Sequence, residues 1–169
     1  MKLLIHDLDI KNFKTNFPKI NDEITVIGEH NKIRNCIGCF GCWIKTPGKC
    51  VLKDGYEMMG ELMSASDEVI VISKCCYGTY SPFVKNIFDR SISFLLPYFR
   101  KLNKETHHKP RYKNKFKLSV YFYGSDITEE EQNTAIGMVK ANGINFNVSE
   151  HSVRFFNSVE QICKEVDLS

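Results

Sequence analysis

No stretch of this sequence stays apolar for the roughly 18–20 residues that a bilayer-spanning helix needs, so a membrane is not among the expected partners. A strong charge of one sign is also missing. The formal net charge of +3 is too small to argue for nucleic acid. The opening run Met1-Lys2-Leu3-Leu4-Ile5 meets His6 and Asp7 at once and lacks the long apolar centre of a signal peptide, which makes a cytoplasmic location the expectation. There is no internal repeat and no low-complexity linker, and 169 residues suit one domain over 1–169 with a real core.

Against those absences stands an excess of cysteine. Seven cysteines, an odd and clustered number, fit a reducing compartment better than a disulfide scaffold. Four of them, Cys36, Cys39, Cys42 and Cys50, fall within fifteen residues at the spacing C-x2-C-x2-C-x7-C. Gly38 and Gly41 let the chain turn tightly enough for several thiolates to converge. Thiolates are soft ligands, and four of them favour an iron–sulfur cluster or zinc over magnesium or calcium. Zinc sites more often divide their ligands into two distant C-x-x-C pairs. Three readings stay open at this point: a 4Fe–4S cluster, structural zinc, or free thiols packing a loop.

Strand-like runs alternate with helical ones, the pattern of a parallel α/β sheet. Strands are expected at Lys2–Leu8, Glu23–Gly28, Glu68–Ser73, Lys117–Tyr123 and over 144–155. Residues 9–22 leave room for a turn or two of helix at most. Asp54 with Glu57 reads as a capping box opening a helix. Ser81 and Pro82 read as N-cap and first residue of another, carrying Val84, Ile87, Phe88, Ile92 and Leu95, with Pro97 ending or kinking it. Thr128 with Glu131 opens a helix to about Asn142, and Asn157 with Glu160 caps the last. The sum is a flavodoxin-like three-layer α/β sandwich on a five-stranded parallel sheet.

The remaining candidates have ordinary readings beside functional ones. Adjacent Cys75 and Cys76 seldom ligate one metal, and Cys163 falls on the apolar face of the last helix. Tyr77 and Tyr80 are either loop packing or flat partners for an aromatic ligand. Phe40 and Trp43 shield the cysteine loop. The basic segment Arg100, Lys101, Lys104, Lys109, Arg111, Lys113, Lys115 and Lys117, with His107 and His108 inside it, reads as a mobile solvated loop. Its functional alternatives are a dock for nicotinamide-cofactor phosphates and a contact surface for an acidic redox partner protein. Phe94, Leu95, Leu96, Tyr98 and Phe99 offer more apolar surface than one helix face buries, which hints at a partner. Asp126, Glu129, Glu130 and Glu131 read as favourable first-turn charges rather than catalysts.

Three stretches resemble the flavodoxin-like NAD(P)H-dependent FMN reductases, and in particular their iron–sulfur flavoprotein branch. They are Cys36 through Cys50 to Asp54; Ser73 through Pro82 followed by Val84-Lys85 and Phe88-Asp89-Arg90; and Tyr123 through Asp126. The resemblance implies a flavin-dependent oxidoreductase or electron-transfer flavoprotein that forms a homodimer. NAD(P)H would be the donor. A 4Fe–4S cluster would sit on Cys36, Cys39, Cys42 and Cys50. FMN would contact Cys75, Cys76, Tyr77, Gly78, Tyr80, Ser81, Tyr123, Gly124, Ser125 and Asp126. One feature of the family is missing, the small-residue phosphate loop after the first strand. His6-Asp7-Leu8-Asp9-Ile10-Lys11-Asn12 stands there instead, with no glycine or serine. Asp7 and Asp9 would repel a phosphate, while Lys11, Asn12 and Thr15 offer a partial substitute. Weak FMN binding is therefore expected. The rival readings are a non-enzymatic flavodoxin-like subunit with a degenerate phosphate loop and a zinc-stabilised structural domain.

Overall fold

The computed structural model describes residues 1–166 and Leu168. Its elements, in chain order, are β1 (Lys2–His6), α1 (Ile10–Asn16), β2 (Ile24–Ile27), α2 (Gly41–Ile44), α3 (Met59–Ser64), β3 (Glu68–Lys74), α4 (Pro82–Arg90), β4 (Leu95–Leu102), β5 (Glu105–Pro110), β6 (Lys117–Tyr123), α5 (Glu129–Asn145), β7 (Glu150–Phe156) and α6 (Val159–Glu165). Five strands form one parallel sheet in the order β2-β1-β3-β6-β7. This is the flavodoxin-like order, which reverses between β1 and β3 and so opens a crevice at their carboxyl ends.

Side chains alternate across the sheet and build two cores. Leu3, Ile5, Val69, Val71, Leu118, Val120 and Phe122 face α3, α4 and α5, whose Met59, Met63, Val84, Ile87, Ala135 and Val139 meet them. Leu4, Ile70 and Ile72 face the opposite layer, formed by Phe13 and Phe17 with Ile162 and Val166. Every central strand is covered on both faces, which is why β3 reads as a continuous apolar run. Among the described residues, no helix is long and apolar enough to cross a membrane.

Several boundaries moved for identifiable reasons. β1 stops at His6, because the Leu8 N–H turns back to the His6 ring at 3.2 Å. Asp54 does not open a helix; α3 starts at Met59 after Met58, and the Asp54 carboxylate serves Arg90 instead. α4 begins on Ser81 and Pro82 as expected but ends at Arg90, passing through a 3-10 turn, Ser91–Phe94, into a strand. The Ser91 hydroxyl bonds back to the Ile87 carbonyl at 2.7 Å in that turn. Pro97 breaks no helix. It sits in β4 where the register of the two-stranded ladder shifts, a position that tolerates a missing N–H.

The first part of the basic segment is therefore strand rather than loop, and 111–116 remain an irregular connection to β6. Residues 95–110 form an antiparallel hairpin turned by Asn103 and Lys104, both left-handed at φ 51° and 68°. Phe94 and Leu95 are buried in the main core, leaving Tyr98 and Phe99 as the exposed aromatics of the hairpin. α5 outlasts its expected end by three residues, so the last strand starts at Glu150 rather than near residue 144. The N-cap of α6 is Ser158, while the Asn157 N–H bonds Gln161 at 3.0 Å. Cys163 is half-buried against the second core.

Gly78 shows what the packing demands of a single residue. Its φ is +74°, and an added Cβ would lie 2.7 Å from Thr134 Cβ and 2.9 Å from the Glu131 carbonyl oxygen of α5. Gly78→Ala adds left-handed strain to an overpacked contact and is expected to destabilise the protein by about 2–4 kcal/mol. Urea unfolding measures this, with Tyr77→Ala in the same exposed turn as the near-neutral comparison.

Candidate functional site

The chain between β2 and α3 carries the four clustered cysteines. Gly38 and Phe40 are both left-handed, at φ 63° and 53°, and fold the loop back before α2. At Gly41 an added Cβ would fall 2.5 Å from Val51 Cγ1, so only glycine lets the two arms of the loop close. Cys36, Cys39, Cys42 and Cys50 then line one cavity of about 50 Å³, floored by Leu52, Ile92 and the side chain of Arg90. Cys42 is buried, Cys50 half-buried, and Cys36 and Cys39 reach the surface. Burial first, and then the Cys50 thiol beside it, push the Cys42 thiol above its ordinary pKa. Among the described residues, no group of His, Cys, Asp or Glu is gathered tightly enough to hold a single metal ion. A tetrahedral zinc with Zn–S of about 2.3 Å would need sulfurs within about 4 Å of each other. A cluster gives each thiolate its own iron and accepts a wider set.

Three contacts fix this loop to the rest of the molecule. The Trp43 indole N–H is shared between the carbonyls of Ile92 and Leu95, at 3.2 and 2.9 Å. Its ring stacks on Phe40 and touches His108 of the hairpin, with centroids 5.2 and 4.9 Å apart. The Cys36 N–H donates to Asn86 Oδ1 at 3.2 Å, and Asn86 Nδ2 donates to Asn35 at 3.1 Å. Arg90, with a fully buried side chain, reaches in from the end of α4. Its Nη1 donates to Asp54 and to the Arg34 carbonyl, and its Nη2 to the Leu52 carbonyl at 3.2 Å. Asp54 also accepts the backbone N–H groups of Arg34 and Tyr56. Burial works against the Asp54 carboxylate, but the Arg90 bond and those amides hold its pKa below 3.8. The sequence marked Asp54 and Arg90 separately; only the fold shows them to be one pair.

At the carboxyl edge of the sheet lies a cleft of about 470 Å³, walled by Asp7, Lys32, Lys74, Cys76, Asn86 and Tyr123 among others. Asn35 lines it too, and Asn86 accepts the Cys36 N–H, so one hydrogen bond joins the lining of the cleft to that of the cysteine cavity. Asp7 ties two of the cleft's lining residues together. Its carboxylate accepts the Lys74 N–H at 2.8 Å and the Tyr123 hydroxyl at 3.0 Å. Burial first, and then Asp7, push the Tyr123 phenol upward, keeping it a donor. Burial likewise raises the thiols of Cys75 and Cys76.

The expected ring-contacting residues separate here. Cys76, Ser81 and Tyr123 border the cleft. Tyr77 projects from a turn closed by reciprocal Cys76–Thr79 backbone bonds and is 92% exposed. Tyr80 is removed from the set of stacking partners. Its ring is buried between Phe88 and Phe122, at centroid distances of 4.9 and 5.4 Å. The Ser81 hydroxyl caps α4 through Val84 N. Gly78 makes its close approach to α5, and Cys75 packs against the first core. The Gly124 N–H is bound to the Phe156 carbonyl, and Ser125 and Asp126 are exposed in the turn before α5.

The place where a phosphate loop would stand is filled. The His6 ring stacks on Phe13 with centroids 3.9 Å apart and abuts Gly28, where an added Cβ would lie 2.6 Å from it. Asn12, a candidate substitute, is tied to Asp9 by its backbone and its side chain. Lys11 and Thr15 are exposed. These residues do not fit a flavin phosphate, whereas the open cleft falls within the size range of ligand pockets. Arg100 of the hairpin is bound to Asn147 and Arg111, just beyond it, to the Ser93 carbonyl, so Lys101, Lys104 and Lys109 carry the exposed charge of the hairpin.

No family model matches the chain. The iron–sulfur flavoprotein of Archaeoglobus fulgidus is 32% identical over 100 residues, covering 59% of this chain and 39% of that protein. The match thus spans well under half of that relative. The NAD(P)H:quinone oxidoreductase of Methanothermobacter marburgensis is similar in structure, with a TM-score of 0.56 and 13% identity over 96% of this chain and 93% of that one. General stress protein 14 of Treponema denticola, solved in complex with FMN, has a TM-score of 0.53 and 10% identity over 97% and 94%. At such identities the structural likeness speaks for the fold. The Archaeoglobus protein carries the name of the branch that the sequence resembles.

His6 gives the site a pH signature. Burial, and then the His30 charge, pull its pKa from 6.5 down to about 4. The folded state therefore keeps a neutral ring where the unfolded chain is protonated. The associated stability is full above pH 6.5, declines as pH falls, and is lost by about pH 4, a total of about 3 kcal/mol. Asp54 adds its own loss at lower pH, as pH falls through its depressed pKa. Urea unfolding at stepped pH is expected to show this slope in the native protein, and His6→Gln to flatten it between pH 6.5 and 4.

Proposed function

We propose that this chain is a redox module of flavin-dependent oxidoreductase type, with a 4Fe–4S cluster on its cysteine loop and a flavin ring in the adjoining sheet-edge cleft. The observation that carries the reading is the hydrogen bond between Asn86 of the cleft and Cys36 of the cysteine cavity. Asn86 holds Cys36 from the cleft side, so a group on the four cysteines lies next to whatever fills the cleft. A flavin exchanges hydride as well as single electrons and a cluster single electrons, so neighbouring sites join two-electron to one-electron chemistry. The protein's own part is placement and exclusion. Trp43 and Phe40 cover the loop, Asn86 fixes the Cys36 backbone, and Asp7 holds the Tyr123 hydroxyl.

NAD(P)H as donor follows from the resemblance and from the name of the quinone oxidoreductase neighbour. The exposed Lys101, Lys104 and Lys109 suit either its phosphates or an acidic redox partner protein. Exposed Tyr98 and Phe99 suit the homodimer that the resemblance implies. A cytoplasmic, reducing setting suits seven free cysteines. A second reading, a non-enzymatic subunit, is favoured by one specific feature: His6, Phe13 and Asp7 occupy the phosphate end of the site.

Two measurements test the proposal. Cys39→Ser is expected to remove most of the iron and the acid-labile sulfide together from protein purified without oxygen. Cys163→Ser, remote on α6, is expected to leave both unchanged. One zinc and no iron in the native protein would overturn the cluster.

The flavin is tested by titration with FMN and riboflavin, read by fluorescence quenching. A charge-assisted hydrogen bond contributes about 1.5–3 kcal/mol, so a working phosphate site with two of them would favour FMN by about a hundredfold or more. With no such site, less than about tenfold preference is expected. A preference of a hundredfold would reveal a phosphate site elsewhere, with Lys32 and Lys74 of the cleft the first to substitute. Binding of neither ligand would favour the non-enzymatic subunit.

A further inference from the structure

Arg90 is 1% exposed and lines the cysteine cavity, yet its Nε is buried with no hydrogen-bond partner. A buried donor left without an acceptor is destabilising and calls for an explanation. Three of the other four N–H groups of the guanidinium are committed. Nη1 is bound to Asp54 and the Arg34 carbonyl, and Nη2 to the Leu52 carbonyl. Asp54 is itself held by two backbone amides, so the planar fork cannot rotate to find Nε another acceptor. Cys50 stands directly beside the guanidinium.

We propose that Arg90 tunes the group in the cysteine cavity by direct contact, donating its Nε–H to a sulfur there and favouring the reduced state. The inference rests on the cluster reading above. Hydrogen bonds to its sulfurs are among the features that set a cluster's potential, because the reduced form carries more negative charge and accepts more strongly. The Asp54 carboxylate offsets the net charge of Arg90, so the directional N–H acts rather than an isolated cation. Lysine keeps the charge and lacks this N–H.

The test uses the anaerobic holoprotein, titrated with a one-electron dye of known potential. Arg90→Lys is expected to keep its iron and sulfide while its reduction equilibrium shifts about tenfold toward the oxidised form, a potential about 59 mV lower. Because this substitution disturbs a buried pair, the native protein is also labelled with ¹⁵N-arginine and examined by pulsed electron paramagnetic resonance after reduction. A through-bond ¹⁵N coupling from one of the five arginines is expected, and it decides the matter if the variant fails to fold. A native protein without iron overturns the cluster reading and this inference with it. Iron present, an unchanged potential in Arg90→Lys and no ¹⁵N coupling overturns the role of Arg90 alone.

Discussion

The buried Arg90–Asp54 pair holds the site together. Residues 28–58 have little regular structure beyond the single turn of α2, and their shape depends on what they are tied to. Arg90 fastens Arg34, Leu52 and Asp54 to the end of α4, and Asp54 in turn fixes Arg34 and Tyr56. Removing two such charges from water costs several kcal/mol per ion, and an apolar pair would hold the chain as firmly. An apolar pair could not bond four separate backbone groups, however. Those bonds are what place Cys36 and Cys50 on one cavity, because Cys36 follows Arg34 by two residues and Cys50 precedes Leu52 by two. Losing either partner would leave a buried charge and free both arms of the loop.

The carboxyl edge of the sheet shows the opposite economy. The fold puts a crevice at the reversal of strand order, and here part of it is occupied by the protein itself. Asp7 gathers Lys74 and Tyr123, while the His6 ring lies flat on Phe13. Both arrangements stabilise the strand ends, and both stand where an anion would otherwise be held. What remains open is the cleft that Asp7, Lys74 and Tyr123 line together with Asn86, whose side chain holds Cys36.

Much of this was legible in the residues because local signals agreed with the global pattern. Lys117–Tyr123 and the capping box of α5 were found as drawn, and so was the Ser81–Pro82 helix start. The cysteine spacing pointed to a shared cavity. Misreadings arose where one local pattern has two physical uses. Asp54-x-x-Glu57 looks like a capping box, but Asp54 was claimed by a cation thirty-six residues away, which no local window contains. Pro97 and a run of lysines looked like helix end and loop, yet a two-stranded ribbon tolerates both, and its Asn103–Lys104 turn lacks the glycine that usually signals it. Tyr80 shares a loop with Tyr77, and only the tertiary packing decides that one ring is core and the other is exposed.

The central claim is that the four cysteines share one redox-active centre. It is tested most directly by the visible absorption spectrum of protein purified without oxygen, recorded with iron and sulfide analysis of the same sample. Expected are broad absorption in the blue that fades on reduction and about four irons and four sulfides per chain. A colourless protein without iron, in which Cys36, Cys39 and Cys50 all react freely with a thiol reagent, would contradict it.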